Sequence, residues 1–292
     1  MVSYLAAIWQ CRYFWLSLVQ MDLRTRYRRS VLGVGWSLLQ PAAMTVILCA
    51  VFYHLLKIDL YYFAPYLIAG LACWNYILTV TLHGCQCFHR AETYIRQYPA
   101  PLAIYPLRTA LGATFHFLIA LGLAIAVALA VGVAAKFRAS ADNRPAAAAQ
   151  ESAVLEVGAA ASTHARLVDH PLAALYLLPA ILLLAILAWS LALLAGFANS
   201  YFQDTQHLIE VGFQLVFYAT PIIWPEDRLR STAWVLQWNP VYHLVRLVRD
   251  PILHGAAPPL GTCLIGALTV ALAASAASLV LARYQNRLIF RL

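Results

Sequence analysis

Long apolar runs separated by short polar stretches dominate this chain of 292 residues. A helix that spans a bilayer needs about 20 consecutive, mostly apolar residues. Six segments reach or approach that length, and we predict that each is a membrane-spanning helix. They lie near residues 36–56, 63–82, 109–135, 172–198, 206–223 and 260–282. The pattern predicts an all-α polytopic membrane protein with six transmembrane helices.

The first 30 residues carry a different pattern. Apolar and aromatic side chains recur there at close to helical spacing, but polar residues interrupt them, with Arg12 in the middle. A segment that is too polar to span and too apolar to lie free in water is typical of a helix in the membrane interface. We therefore predict an N-terminal amphipathic interface helix over 1–30. A first span is the alternative, and a charge at its centre argues against it.

The composition agrees with a membrane protein. Hydrophobic residues make up 63% of the chain and charged residues only 11%, whereas a soluble domain is about 25% charged. The net charge of +8 indicates contact with anionic membrane lipids and not with nucleic acid, because the arginines stand beside the predicted spans. The six cysteines lie mostly within or next to these spans, where small apolar fillers are the default expectation.

A basic cluster directly precedes the first predicted span, in the stretch DLRTRYRRSVLGVGWSLLQP. Four arginines and a Leu-Gly pair stand in it: Arg24, Arg26, Arg28, Arg29, Leu32 and Gly33. Basic residues beside a span mark its cytoplasmic end. The remaining basic residues divide almost evenly between the two sides, so this cluster decides the orientation and we predict that both termini are cytoplasmic. It also places positive charge where a phosphate-bearing lipid would meet the protein.

Two connecting segments lie between the later spans. Residues 136–170 are Ala-rich and polar, and we predict an external loop with room for one short helix around 146–160. Within 224–258, Asn239 can cap a helix and Pro240 fits its first position. Another short helix fits before Asn239. Two short helices between two spans predict a re-entrant or surface-lying pair on the outer side.

Nucleotide hydrolysis by a P-loop is excluded. That motif requires a lysine after a glycine-rich turn, and the two lysines of this chain, Lys57 and Lys136, do not follow a glycine. If transport is driven by ATP, the ATPase is therefore another polypeptide.

A histidine and cysteine alternation at the end of the second span resembles a metal site. It comprises His83, Cys85, Cys87 and His89. On a helix, however, His83 and Cys87 share one face while Cys85 and His89 lie nearly opposite, so four ligands would not meet on one ion. We expect no metal site and favour packing at the helix end, with a membrane-embedded metal enzyme as the alternative.

Two further features have two readings each. The segment 90–96 could form one or two helical turns that dock a soluble partner, or a plain solvated loop. Many aromatic side chains cluster near the ends of the predicted spans, where an interfacial aromatic belt accounts for most of them. Aromatic faces also stack on sugar rings, so a subset could line a path for a glycan.

Four stretches, in this order, support a resemblance to a known family. They are the basic stretch quoted above, YLIAGLACWNYI (66–77), IRQYPAPLAIYPLR (95–108), and NSYFQDTQHLIEVGFQLVFYATPIIWP (199–225) with WNPVYHLVRLVRDPIL (238–253). The chain resembles the membrane subunits of ABC-2 type exporters, specifically those that export lipid-linked polysaccharides such as O-antigen or teichoic acid. It departs from the family at Gln203, where an arginine is frequent.

The resemblance implies a homodimer around a central channel, with two copies of a separate P-loop ATPase beneath it. Residues 31–292 would form the ABC-2 transmembrane domain after the interface helix of 1–30. Within it, 88–98 would be a coupling or gating helix and 226–255 the outer gate helices. The partner subunit would bind ATP and Mg, so this chain would hold no cofactor and would be no enzyme on its own.

The resemblance also assigns residues. A lipid diphosphate would meet Arg24, Arg26, Arg28, Arg29, Leu32 and Gly33. The ATPase would couple through Arg90, Glu92, Tyr94 and Arg96. The channel and its gate would include Tyr201, Phe202, Phe213, Phe217, Tyr218, Trp224, Trp238, Tyr242, Arg246 and Arg249.

We therefore expect a permease that moves a lipid-diphosphate-linked polysaccharide, O-antigen-like or teichoic-acid-like, outward across the bacterial inner membrane, as in lipopolysaccharide biosynthesis. One alternative keeps the ABC-2 class and changes the substrate to a drug, haem or a small lipid. The other is the metal enzyme described above. The channel width and lining that would separate the first two are not readable from the sequence.

Overall fold

The computed structural model describes residues 2–28, 30, 33–56, 60–97, 100–141, 171–224 and 236–288. The regular elements in these ranges are helical, so the predicted all-α fold is confirmed. The α-helices are α1 (Val2–Gln10), α2 (Arg12–Tyr27), α3 (Trp36–Leu56), α4 (Leu60–Cys85), α5 (Glu92–Gln97), α6 (Ile104–Ala141), α7 (Leu177–Tyr201), α8 (Thr205–Ala219), α9 (Pro240–His254) and α10 (Leu260–Leu288).

Four helical segments of the described chain are long and apolar enough to cross a membrane. They are Tyr62–Cys85, Ile104–Ala134, Leu172–Tyr201 and Leu260–Leu288. The protein is therefore a multi-pass membrane protein, as predicted. The other two predicted spans correspond to α3, of 21 residues with a shorter apolar stretch at Pro41–His54, and to α8, of 15 residues.

Together with the turns that follow it, the short helix α8 nevertheless lies beside α4 over almost the whole length of α4. The side-chain amide of Gln86, just after α4, donates to Gln206 at the start of α8 over 2.9 Å. Near the other end of α4, the hydroxyl of Tyr66 donates to the carbonyl oxygen of Pro221 over 2.9 Å. Twenty residues of α4 cover about 30 Å, the thickness of a bilayer core. The predicted fifth span therefore runs antiparallel to α4 as a helix followed by turns.

The helix ends define two ends of the bundle. At one end lie α2, the C-terminus of α4 and the N-termini of α6 and α8, as the contacts Arg108–Asp22 and Gln86–Gln206 show. We call this the basic end. At the opposite end, which we call the far end, the N-terminal part of α4 meets the turns after α8 and the helix α9.

The N-terminal segment is two helices and not the single predicted one. The break lies at Cys11, between α1 and α2. The indole N–H of Trp15 donates to the carbonyl of Ile8 over 3.1 Å, which satisfies a carbonyl in the last turn of α1. Trp9 and Tyr13, which stand on the two sides of this break in the chain, are both exposed. An exposed aromatic face suits contact with lipid, and the position of these helices in the membrane interface stays a prediction.

The helix α9 is re-entrant and not a surface helix. It begins as predicted, because the Asn239 side chain accepts bonds from the backbone N–H groups of Val241 and Tyr242. It ends at Gly255, which adopts the left-handed conformation that helix ends favour (φ 59°). Most of α9 is buried against α4, α7 and α10. The short helix predicted before it falls mostly at 225–235, outside the described residues.

Two other predicted boundaries differ in the structure. The helix α6 continues to Ala141, so the start of the predicted loop at 136–170 is helical and residues 142–170 lie outside the described range. The segment predicted as a coupling helix at 88–98 is a 3-10 turn (His89–Ala91) followed by the short helix α5.

The core of the bundle is α4, which contacts α3, α6, α7, α8 and α9. Small residues let α4 and α7 approach closely at the basic end. A Cβ added to Gly84 would lie 2.5 Å from the Cα of Ala192 in α7 and 2.9 Å from its carbonyl oxygen. In lipid, helices associate by such close packing and not by hydrophobic burial.

We expect Gly84→Ala to destabilise the protein by about 1–3 kcal/mol, because α7 backbone must shift to admit the methyl group. Gly122→Ala in α6 is the matched control, since a Cβ there meets open space. Thermal melting of the detergent-solubilised variants measures the difference. Equal melting temperatures for both variants would contradict close α4–α7 packing.

Candidate functional site

A cavity of about 390 Å³ opens at the basic end between α2, the end of α4 and the start of α6. Charged and titratable side chains from separate segments line it: Asp22, Arg26, His83, Arg90, Arg108 and His116. Three guanidinium groups face one carboxylate, so the cavity carries net positive charge. We call it the basic cavity.

One of the three arginines is held by the carboxylate. Both Nε and NH2 of Arg108 donate to the two carboxylate oxygens of Asp22, in a bidentate pair. The Arg108 side chain is largely buried and the Asp22 side chain is half exposed. Paired forks of this kind fix geometry as well as charge. The pair joins α2 to the first turn of α6 and leaves Arg26 and Arg90 to set the charge of the cavity.

A second contact fastens the end of α2 to α6. The hydroxyl of Tyr27 lies 2.8 Å from Nδ1 of His116, and the two rings meet edge to face. Tyr27 follows Arg26 in the chain, so this bond fixes the segment that presents Arg26 to the cavity. Arg90, from the other side, donates to the side chain of Gln86 over 3.1 Å.

A smaller cavity of about 140 Å³ continues from the basic cavity into the membrane-spanning part. The two share Arg26, Ala113 and His116. The inner one also meets Asn75 and Thr79, in the middle of α4. Polar side chains at membrane depth face protein interiors or water-filled cavities. A polar cleft therefore leads from the basic end towards the centre of the bundle.

The arginine cluster predicted from the sequence divides around the helix. All three of Arg24, Arg26 and Arg28 are exposed, but only Arg26 lines the basic cavity. Arg24, two residues before Arg26 on α2, points about 200° away from it, and Arg28 follows the end of the helix in an extended conformation. Arg29 and Leu32 lie outside the described residues.

Gly33 stands away from the cavity in the short segment between α2 and α3. It has the left-handed backbone that glycine favours (φ 51°), and its N–H donates to the hydroxyl of Ser30 over 3.1 Å. It begins a 3-10 turn that leads into α3. Its role in the structure is to turn the chain, and contact with a diphosphate stays a prediction.

Sequence reasoning missed Asp22, His83 and Arg108 as members of this site, and it placed Arg90 only in a partner contact. Asp22 and Arg108 are 86 residues apart in the chain, and no local pattern links them. One available indication was position, because Arg108 stands at the start of a long span and a charge there is costly unless it is paired.

The segment 88–97 has a packed face and an exposed face. Ala91 and Ile95 are buried, and Tyr94 packs on Phe14 of α2 with ring centroids 6.3 Å apart. On the other face Thr93 and Arg96 are exposed. Of the predicted coupling residues, Arg90 and Arg96 reach the surface, Glu92 is paired with Arg96 over 2.8 Å, and Tyr94 is half-buried.

The predicted channel and gate residues form no single site. Tyr201 and Phe202 lie at the basic end, where the Tyr201 ring meets that of Tyr284. Along α8, Phe213 and Phe217 pack on Trp74 of α4, with ring centroids 5.5 and 5.2 Å from it, and Tyr218 is exposed. The remaining ones lie at the far end: Trp224, Trp238, Tyr242, Arg246 and Arg249. Together they follow the line of α8 from one end of the bundle to the other.

The histidine and cysteine alternation does not assemble. His83 and Cys87 line the basic cavity. Cys85 is buried and its thiol donates a hydrogen bond to the carbonyl oxygen of Thr81, whereas His89 is exposed. Within the described ranges, no three His, Cys, Asp or Glu residues lie close enough to share a metal ion. The four residues named for the metal-enzyme alternative therefore do not form one cluster in the structure.

The described part of the chain is thus a helical membrane bundle with a basic cavity at one end. The family model of the ABC-2 type transporter matches residues 13–253, and the chain belongs to this family. It is therefore the transmembrane subunit of an ABC transporter, and members of this family work with an ATP-binding subunit.

The chain is similar to three curated proteins that carry the same name. The chain is 21% identical over 240 residues to the O-antigen export system permease protein RfbA of Klebsiella pneumoniae, with 82% of this chain and 79% of the relative covered. A second protein of that name and organism is 20% identical, over 82% of this chain and 79% of its own. The protein of that name from Myxococcus xanthus is 22% identical over 250 residues, which covers 84% of this chain and 82% of the relative.

We expect Cys87 to react slowly with N-ethylmaleimide at pH 7. Burial raises the pKa of its thiol, and the neighbouring Cys85 raises it further, so little reactive thiolate is present. The rate should increase as the pH rises towards that raised pKa. Mass spectrometry of the alkylated, digested protein measures it, with the half-buried Cys11 as the comparison. Alkylation of Cys87 as fast as that of Cys11 at pH 7 would show that the thiol is open to solvent.

Proposed function

We propose that this subunit moves a lipid-diphosphate-linked polysaccharide, O-antigen-like or teichoic-acid-like, outward across the bacterial inner membrane. The observation that supports this most directly is the basic cavity, in which Arg26, Arg90 and Arg108 face one carboxylate. A diphosphate is costly to remove from water, and guanidinium donors compensate that cost best. The names of the three relatives support the same class of substrate.

In this proposal Arg26 and Arg90 bind the diphosphate, and Arg108 is positioned by Asp22 at the edge of the site. The basic end faces the cytoplasm, where such lipid-linked glycans are assembled. Arg24, on the opposite face of α2, and Arg28, just after that helix, meet the anionic headgroups of the surrounding membrane. The lipid tail remains in the bilayer while the headgroup enters from the membrane edge.

The proposal also includes the assembly. Two copies of this subunit associate and two copies of a P-loop ATPase, which binds ATP and Mg, dock at the basic end. The exposed face of α8 suits the contact between copies, because Leu208, Val211 and Leu215 are exposed in one subunit and no residue of α8 is buried. The exposed face of 88–97 suits the contact with the ATPase.

Arg26→Gln should reduce surface polysaccharide about tenfold or more in a strain that depends on this permease, because hydrogen bonds to a charged group are lost. Arg28→Gln, two residues further on and outside the cavity, should retain most of the export. Immunoblots of membranes check that both variants insert. Equal export by the two variants would remove Arg26 from the proposed site.

Binding of farnesyl diphosphate to the purified subunit separates the proposed substrate from a drug or haem. We expect saturable binding that weakens in Arg26→Gln and in Arg90→Gln, measured by displacement of a fluorescent isoprenyl diphosphate. Binding that is equal in both variants and the parent would favour the other ABC-2 substrates.

A cysteine in place of Thr93 should cross-link to the ATPase, because Thr93 lies on the exposed face of 88–97. A cysteine in place of Ala91 is the matched control, since Ala91 is buried two residues away. Cross-linking in purified complexes is measured by a shift on denaturing gels. Capture through Ala91 and not through Thr93 would show that the docking face is different.

A further inference from the structure

Arg249 is a cation buried inside the bundle at the far end. It stands in α9 and is 1% exposed. A charged side chain at membrane depth is costly, and it is retained where it has a function. The nearest carboxylate along the helix, that of Asp250, is held by Arg246 over 2.9 Å. Arg249 itself contacts an aromatic ring and a backbone carbonyl.

The guanidinium of Arg249 is held by α4 and by the turns after α8. Its central carbon lies 3.7 Å from the centre of the Tyr66 ring. Its NH1 donates to the carbonyl oxygen of Pro221 over 2.9 Å. The space for it is provided by Gly70, one helical turn after Tyr66 in α4, since a Cβ there would lie 2.3 Å from NH2 of Arg249. The cation is therefore seated in a groove of α4.

The same pair of side chains secures a stretch of irregular backbone. The segment Thr220–Trp224 is not helical. The Tyr66 hydroxyl donates to the carbonyl of Pro221 and lies 3.0 Å from the carbonyl oxygen of Trp224. Irregular backbone is tolerated in a membrane protein only where protein groups or water satisfy it. Arg249 and Tyr66 supply donors to these carbonyls from two different helices.

The segment is held from its other side by the start of α9. The side-chain amide of Asn239 donates to the hydroxyl of Thr220 over 2.9 Å. Ile222, between the two attachments, is 0% exposed and packs with Trp74 of α4. The segment is therefore held on both sides, by α4 and Arg249 at Pro221 and by Asn239 at Thr220.

We propose that Arg249 and Tyr66 form a latch that positions Thr220–Trp224 against α4 and shields this segment from solvent at the far end. Arg249 acts through the segment that it holds and is a positioning residue. The latch goes beyond the proposed function, because it concerns access from the far end and not the identity of the substrate.

The test is the reactivity of a cysteine in place of Ile222 with a membrane-impermeant maleimide. The background carries Cys263→Ser and Cys11→Ser, because these two native cysteines are half-exposed and the other four are buried. Sealed vesicles of both orientations are used, so the result does not depend on the orientation of the protein. We expect little labelling of Ile222→Cys in the otherwise unchanged protein.

Arg249→Gln should raise that labelling about tenfold, because a charged hydrogen bond to the segment is lost. Arg249→Lys, which keeps the charge, should restore part of the protection. Tyr66→Phe keeps the ring beneath the cation and removes only the hydroxyl, so its labelling should lie between those of the parent and Arg249→Gln. Tyr53→Phe, an exposed tyrosine of α3, is the control for loss of a hydroxyl.

Labelling of Arg249→Gln at the rate of the parent would overturn the latch. If Arg249→Gln does not insert, the comparison of Tyr66→Phe with Tyr53→Phe decides: equal labelling at equal melting temperature overturns the latch, and higher labelling of Tyr66→Phe supports it. The measurement needs no ATPase and no glycan, so failure of the proposed export function would leave this result intact.

Discussion

Burial of α4 among its neighbours is the constraint on which the rest of the bundle depends. Of an apolar stretch of 18 residues in α4, 78% is buried inside a single subunit, whereas the figure for the corresponding stretch of α10 is 22%. Close approach at Gly84 sets the distance to α7 at the basic end, and Gly70 makes room for Arg249 at the far end. Because one helix joins these two points and they are 14 residues apart in it, they stand about 21 Å apart along α4.

The protein accommodates its buried or half-buried arginines in two ways. Arg108 is paired with a carboxylate, Asp22, at the basic end, where water and headgroups are near. Arg249 is placed on an aromatic ring and a backbone carbonyl. The first contact joins α2 to the start of α6, and the second joins α9 to α4 and to the turns after α8.

Local patterns in the sequence were sufficient for the helical class, for the cap at Asn239 and for most of the long spans. They were not sufficient for the site. The Arg24–Arg29 cluster looked like one feature because its residues are adjacent in sequence, and the helical period divides it. Asp22, Arg90 and Arg108 meet only after three segments pack together, which no local period records. The exclusion of a P-loop depended on two lysines alone, so it required no structure.

The least buried element beside α4 is α8, which has no buried residue in one subunit. At the far end it is attached through Pro221 and Thr220, and at the basic end it is attached through Gln206. Those attachments are hydrogen bonds to side chains of other helices, whereas α4 and α7 are joined by backbone contact at Gly84. Stability within a protein is lowest where few buried contacts hold a segment. Within one subunit, α8 is therefore the neighbour of α4 that is least firmly held.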